Sequence, residues 1–108
     1  MNGLERNLHV SQIDAFVEID QPMTQMPIAE PKPEEKIVGD IVCELIEDGS
    51  CIQLGFGSIA NAIAEGLKAR KHLGVHSEMF NDAMAELQEL GVIDNSRKNY
   101  LPGVSVAG

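Results

Sequence analysis

Nothing in this chain constrains its fold more than the ten residues CIQLGFGSIA, Cys51 to Ala60. A short apolar run enters two glycines one residue apart, and a helical pattern leaves them, running from about Ile59 to Leu67. Gly55-Phe56-Gly57-Ser58-Ile59-Ala60 satisfies G-x-G-x-x-A, a turn whose glycines let backbone N–H groups approach a ligand at the start of a helix. A strand that runs straight into a helix is the first half of a crossover between parallel strands. The motif therefore calls for a parallel sheet with helices on its faces.

The flanking segments repeat that pattern. Pro33 opens a helix with Glu34 and Glu35 in its first turn and Ile37, Val38, Ile41, Val42, Leu45 and Ile46 on one apolar stripe. Glu47-Asp48-Gly49 stops it, and Cys51 to Leu54 reads as a short buried strand. After the glycine turn and its helix, LGVHSE supplies a strand at Val75 and His76. A helix follows whose residues Phe80, Ala83, Met84, Leu87 and Leu90 fall on one core-facing side until Gly91 ends it. VIDNSRKNYLPG is a polar connection, and VSVAG begins another strand. The expected fold class is α/β, a mostly parallel sheet with flanking helices.

Residues 1–33 read differently. Apolar and polar residues alternate from Phe16 onward as in a short strand, and every proline but Pro102 lies between Pro22 and Pro33. Prolines this dense exclude a helix or a central strand, so an extended segment crossing the surface is expected before an α/β core at 34–108.

Composition narrows the function. Eight Lys and Arg against seventeen Asp and Glu give a net charge of -9, which disfavours nucleic acid and anionic membrane surfaces as partners. The same acidity leaves anion binding to backbone donors and helix N-termini. Aromatic residues make up 4% of the chain, with no Trp, so the core is expected to consist of Ile, Val, Leu, Met and Ala. Cys43 and Cys51 lack metal-ligand spacing and read as reduced, buried thiols, with no metal site expected. No apolar run is long enough to span a bilayer, and MNGLERNLHV lacks the regions of a signal peptide, so a cytoplasmic location is expected.

In a parallel sheet, ligands bind outside the carboxyl ends of the strands. Two sites fall there: the turn Gly55-Phe56-Gly57-Ser58, and His76-Ser77-Glu78 at the end of the next strand. Glu78 stands near the spacing of a ribose-binding carboxylate, so a NAD-binding Rossmann-like module is one reading. A plain one also exists, in which the glycines only reverse the chain, Glu78 is an exposed charge ahead of a helix and His76 is packed. A surface for a partner subunit is a third.

Three stretches in order, HVSQIDAFVE, IQLGFGSIANAI and LGVHSEMFNDA, resemble the acetyl-CoA hydrolase and transferase group of the family I CoA-transferases, which includes 4-hydroxybutyrate and butyryl-CoA:acetate enzymes. The likeness continues through GVIDNSRKNYLPG and so covers nearly the whole chain from Leu8. The family's loop reads G-x-G-x-I-P. Gly55, Gly57 and Ile59 match it, while Ala60 stands where the proline would be.

The resemblance implies part of a family I CoA-transferase domain. In it Gly55, Phe56, Gly57, Ser58 and Ile59 would line the CoA thioester and its developing oxyanion, and Glu78 would be the nucleophile. Gln53 and His76 are weaker candidates for orienting the substrate or Glu78, and Asn61 for a place at the helix start near the crevice. Coenzyme A would be a substrate, with no permanently bound cofactor. The partners would be an acyl-CoA (acetyl, butyryl or 4-hydroxybutyryl), a small carboxylate and, in a homo-oligomer, further copies. Acyl-CoA hydrolysis is the alternative within the family. Its members are considerably longer, so the chain is expected to be a central fragment, inactive without the remaining segments.

Overall fold

A computed structural model describes residues 8–108; the first seven residues, which open the expected 1–33 segment and the start of MNGLERNLHV, lie outside the described residues. The elements are a 3-10 turn at Val10–Gln12, then α1 (Pro33–Glu44), β1 (Cys51–Ile52), α2 (Ser58–Leu67), β2 (Gly74–Ser77), α3 (Asp82–Glu89) and β3 (Val106–Ala107). The three strands form one parallel sheet in the order β1-β2-β3. Cys51 pairs with Gly74 and Ile52 with Val75, while His76 pairs with Val106 and Ser77 with Ala107. This is the expected α/β architecture, and none of the described helices is long and apolar enough to cross a membrane.

The core lies between the sheet and the helices. Leu67, Leu73, Val75, Met84, Leu87 and Ile93 are fully buried there. Burial of each such side chain contributes about 1.5–3 kcal/mol. The apolar face of α3 is narrower than the sequence predicts: Met84 and Leu87 are buried and Ala83 half-buried, but Phe80 and Leu90 are exposed. Phe80 precedes the helix and Leu90 is its C-cap, so neither lies on the helical face.

The stripe on α1 faces outward. Ile37, Val38, Ile41 and Leu45 are exposed, and the residues that α1 buries are Gly39 and Cys43. The cause is a seam of small residues against α2. A Cβ on Gly39 would stand 2.9 Å from the Ala62 backbone, and one on Gly66 would stand 2.6 Å from the Cys43 sulfur. Close approach of the two helices thus selects small residues, and the large apolar ones are left beside the contact.

Two further expectations fail. Phe16 to Asp20 forms no strand, because among the described residues no strand runs beside it to complete a ladder, and Phe16, Val17 and Ile19 are exposed. Cys51 is an exposed thiol, not a buried one, because β1 is an edge strand with outward and inward positions alternating. Cys43 is buried as expected, and burial pushes its thiol up. The proline-rich segment holds no regular element up to α1 and is mostly exposed, and the Asn61 amide donates to its Ala29 carbonyl at 2.9 Å.

Candidate active site

The β1–β2 register brings the two sequence motifs together. Continued past the end of β1, the same offset would set Leu54 beside Ser77 and Gly55 beside Glu78. The Ser77 hydroxyl confirms the first of these by donating to the Leu54 carbonyl at 3.3 Å. Glu78 is exposed and follows directly on β2, so it sits at the carboxyl edge of the sheet, where parallel sheets bind ligands.

The glycine turn is open where its side chains would lie. Gly57 is the N-cap of α2 with φ 109° and ψ 174°, a conformation that side-chain-bearing residues avoid, and no side chain caps the helix in its place. A Cβ placed on Gly55 or Gly57 would meet nothing within 4 Å. Among the described residues, the N–H groups of Gly55 and Phe56 donate to no acceptor. Free N–H groups beside an uncapped helix start suit an anion or an oxyanion.

Side chains outside the motifs hold this loop in place. Asn81 caps α3 by accepting from the Met84 N–H at 2.9 Å and donates through its amide to the Gly55 carbonyl at 2.6 Å. Ser58 donates to Glu35 on α1 at 2.8 Å, and the other Glu35 oxygen accepts the Lys32 N–H at 2.7 Å. These two bonds, the Lys32 one foremost, hold the Glu35 carboxyl below its ordinary range. Asn81 carries a local signal, being an N-cap residue before an apolar run, but nothing in the sequence reveals its bond to Gly55 or the link from Glu35 to Ser58.

On the other side of Glu78, its carbonyl accepts the Gly108 N–H at 3.1 Å. A cleft of about 620 Å³ opens there, bordered by Glu78, Met79, Phe80, Gln88, Asn95 and Ser105. Buried Asn95 supports it. Its side chain accepts the Val75 N–H at 2.9 Å and donates to Ser105 at 2.9 Å, and Ser105 donates to Gln88 at 3.1 Å. Buried Lys98 donates to the carbonyls of Val75 and Val104, both at 2.6 Å, and so ties β2 to the segment that enters β3.

Of the residues singled out in the sequence, Gly55 to Ile59 and Glu78 gather at this edge. Gln53 is exposed between β1 and the loop, and His76 stacks on Tyr100 with ring centroids 5.7 Å apart. Asn61 is engaged with the proline-rich segment. Ala60, at the position of the family's proline, is buried inside α2. Among the described residues no three His, Cys, Asp or Glu side chains converge as metal ligands would.

No family model matches the chain. Individual relatives do. A succinyl-CoA:cyclohexane-1-carboxylate CoA transferase of Geobacter metallireducens is 40% identical over 101 residues, which is 94% of this chain and 23% of that protein. A 4-hydroxybutyrate coenzyme A transferase of Clostridium kluyveri is 43% identical over 96 residues, 89% of this chain and 22% of that protein. Among solved structures, RipA of Yersinia pestis superposes with a TM-score of 0.89 at 37% identity, over 93% of this chain and 23% of its own. The chain thus spans just under a quarter of the length of these relatives. Over most of its own length, it is homologous to a segment of these CoA transferases.

Proposed function

We propose that this chain carries the nucleophile and the oxyanion loop of a CoA-transferase, which moves CoA between an acyl-CoA and a carboxylic acid through a thioester on Glu78. One observation carries this reading. Ser77 and Asn81, on either side of Glu78, bond the Leu54 and Gly55 carbonyls, so the segment carrying Glu78 lies against a loop in which, among the described residues, the Gly55 and Phe56 N–H groups donate to no acceptor. A NAD-binding unit would share that local layout, and the CoA-transferase relatives favour the thioester reading.

The chemistry follows from a carboxylate beside N–H donors. A Glu78 oxygen attacks the thioester carbonyl carbon, and the resulting oxyanion points at the loop N–H groups. Collapse breaks the C–S bond, releasing CoA thiolate and leaving a mixed anhydride. The thiolate attacks the glutamyl carbonyl carbon, the acyl group departs as its carboxylate, and Glu78 holds CoA as a thioester. An incoming carboxylate reverses these steps, and Glu78 leaves as a free carboxylate. Bonds and electron pairs balance without net proton uptake, and every tetrahedral intermediate draws on the same donors.

The acyl groups that fit this reading are acetyl, butyryl and 4-hydroxybutyryl, and CoA is a substrate in it. Because the relatives are about four times as long, the walls of the site beyond this segment belong to the rest of such a protein. The 108 residues alone are expected to turn over little or no acyl-CoA. The test is initial-rate kinetics with butyryl-CoA and acetate on the protein carrying this chain. A double-displacement pattern is the expected result, and a sequential pattern, with both substrates bound before CoA leaves, overturns the glutamyl intermediate.

A further inference from the structure

The openness that makes Gly55 a good approach to a ligand also makes it a poor platform. With no side chain and no neighbour where a Cβ would lie, the peptide groups on either side of it have little of their own to stop them rotating. An oxyanion site needs the opposite, N–H groups that are aimed before the charge develops. Two side chains resolve the conflict, and both come from the segment that carries Glu78.

We infer that Ser77 and Asn81 are positioning residues that aim the N–H groups of Gly55 and Phe56. A peptide unit is planar and trans, so its C=O and N–H point in opposite directions, and holding one fixes the other. Ser77 holds the Leu54 carbonyl and thereby the Gly55 N–H. Asn81 holds the Gly55 carbonyl at 2.6 Å and thereby the Phe56 N–H. Both holders are themselves fixed: the Ser77 hydroxyl accepts the Met79 N–H at 3.3 Å, and the other end of the Asn81 amide caps α3. Glu78 lies between them in the chain, so the two bonds also set the nucleophile's backbone against the donors it works with.

The amide of Asn81 allows its two bonds to be separated. Aspartate caps a helix about as well as asparagine but has no N–H to give, and it would face the Gly55 carbonyl with a second acceptor. Asn81→Asp therefore keeps the α3 cap and removes the hold on the loop. Ser77→Ala removes the other hold.

This inference rests on the CoA-transfer reading only for its consequence in catalysis, so two readouts are needed on the protein carrying this chain. The first is the backbone amide spectrum. Asn81→Asp is expected to shift the Phe56 and Gly55 amides, while Met84, under the preserved cap, and Leu73, just before β2, stay in place. Unchanged Gly55 and Phe56 amides overturn the inference whatever the protein's activity.

The second is butyryl-CoA turnover. Asn81→Asp is expected to lower kcat by about 10- to 100-fold with KM and thermal midpoint little changed, since the loss falls on the oxyanion and not on the bound ground state. Ser77→Ala is expected to lower kcat in the same direction by a smaller factor. If the amides move and kcat does not, the loop is held as described but its N–H groups serve no oxyanion. If the unsubstituted protein shows no transfer at all, it is the functional reading that falls, and the amide spectrum still decides the positioning.

Discussion

At the amino-terminal end of β1 and β2, polar groups are tied to one another. The Lys71 N–H donates to Asp48 at 2.8 Å, the Gly49 N–H to the Lys71 carbonyl at 2.9 Å, and the Gly74 N–H to the Ser50 carbonyl at 2.9 Å. Beside them His72 pairs with Asp94 at 2.7 Å, and Asp94 also accepts from the backbone and hydroxyl of Ser96. At the carboxyl end of the same strands, the Gly55 and Phe56 N–H groups have no partner among the described residues, and Gly57 offers α2 no side-chain cap. Two residues of β1 and four of β2 separate these ends. The contrast teaches that the sheet closes its hydrogen bonds at the end where the chain is only held and leaves N–H donors open at the end of the proposed site.

Substitutions at each end can break that contrast. The largest effect is expected at Glu78. Glu78→Gln should lower butyryl-CoA turnover by at least about 10³-fold, because the amide cannot form the anhydride. Its thermal midpoint should stay close to the original, because Glu78 is exposed. Parallel losses of turnover and stability would make Glu78 a structural residue instead.

Next comes Asn95, which serves the floor between the two ends. Asn95→Ala removes the partner of the buried Val75 N–H and places alanine at φ 58°. Denaturant unfolding should show a loss of about 2–4 kcal/mol, and a loss below 1 would mean that water or a rearrangement replaces those bonds.

Gly57→Ala sharpens the comparison within the loop. At φ 109° it should cost about 1–3 kcal/mol by the same assay and reduce turnover as the donors shift. An alanine variant with native stability and turnover would show that the loop has slack to spare.

The smallest effect belongs to the closed end. The Ser96 N–H, His72 and the Ser96 hydroxyl hold the Asp94 carboxyl at about 2. A carboxylate with a lowered folded-state value contributes stability that is present above its unfolded value, about 3.9, and is lost as pH falls through about 2. The midpoint difference between the original protein and Asp94→Asn should therefore be full above about pH 4 and close toward pH 2, with turnover at neutral pH unaffected. A difference that grows as the pH falls would contradict the sign of this shift.

What the sequence made legible was local. Alternating patterns and glycine stops placed α1, α2, α3 and all three strands, and parallel alternation alone put Glu78 at the same edge as Gly55. Patterns failed where the outcome depended on a neighbour. The alternation after Phe16 meets no described strand, and the large residues of α1 flank a contact made by Gly39, Cys43 and Ala62. The holding residues were hidden for a related reason. Glu35 to Ser58, Ser77 to Leu54 and Asn81 to Gly55 are bonds between residues more than twenty positions apart, and hydrogen bonds of that reach have no period along the chain.

The central claim is that Glu78 becomes covalently bound to CoA, and trapping it is the most direct test. The protein carrying this chain is incubated with butyryl-CoA without an acceptor acid, reduced with borohydride, digested and analysed by mass spectrometry, with Glu78→Ala alongside. The account predicts that the Glu78 side chain alone is reduced to the corresponding alcohol, and that the variant shows nothing. An unmodified Glu78 peptide in a protein that still transfers CoA would contradict it.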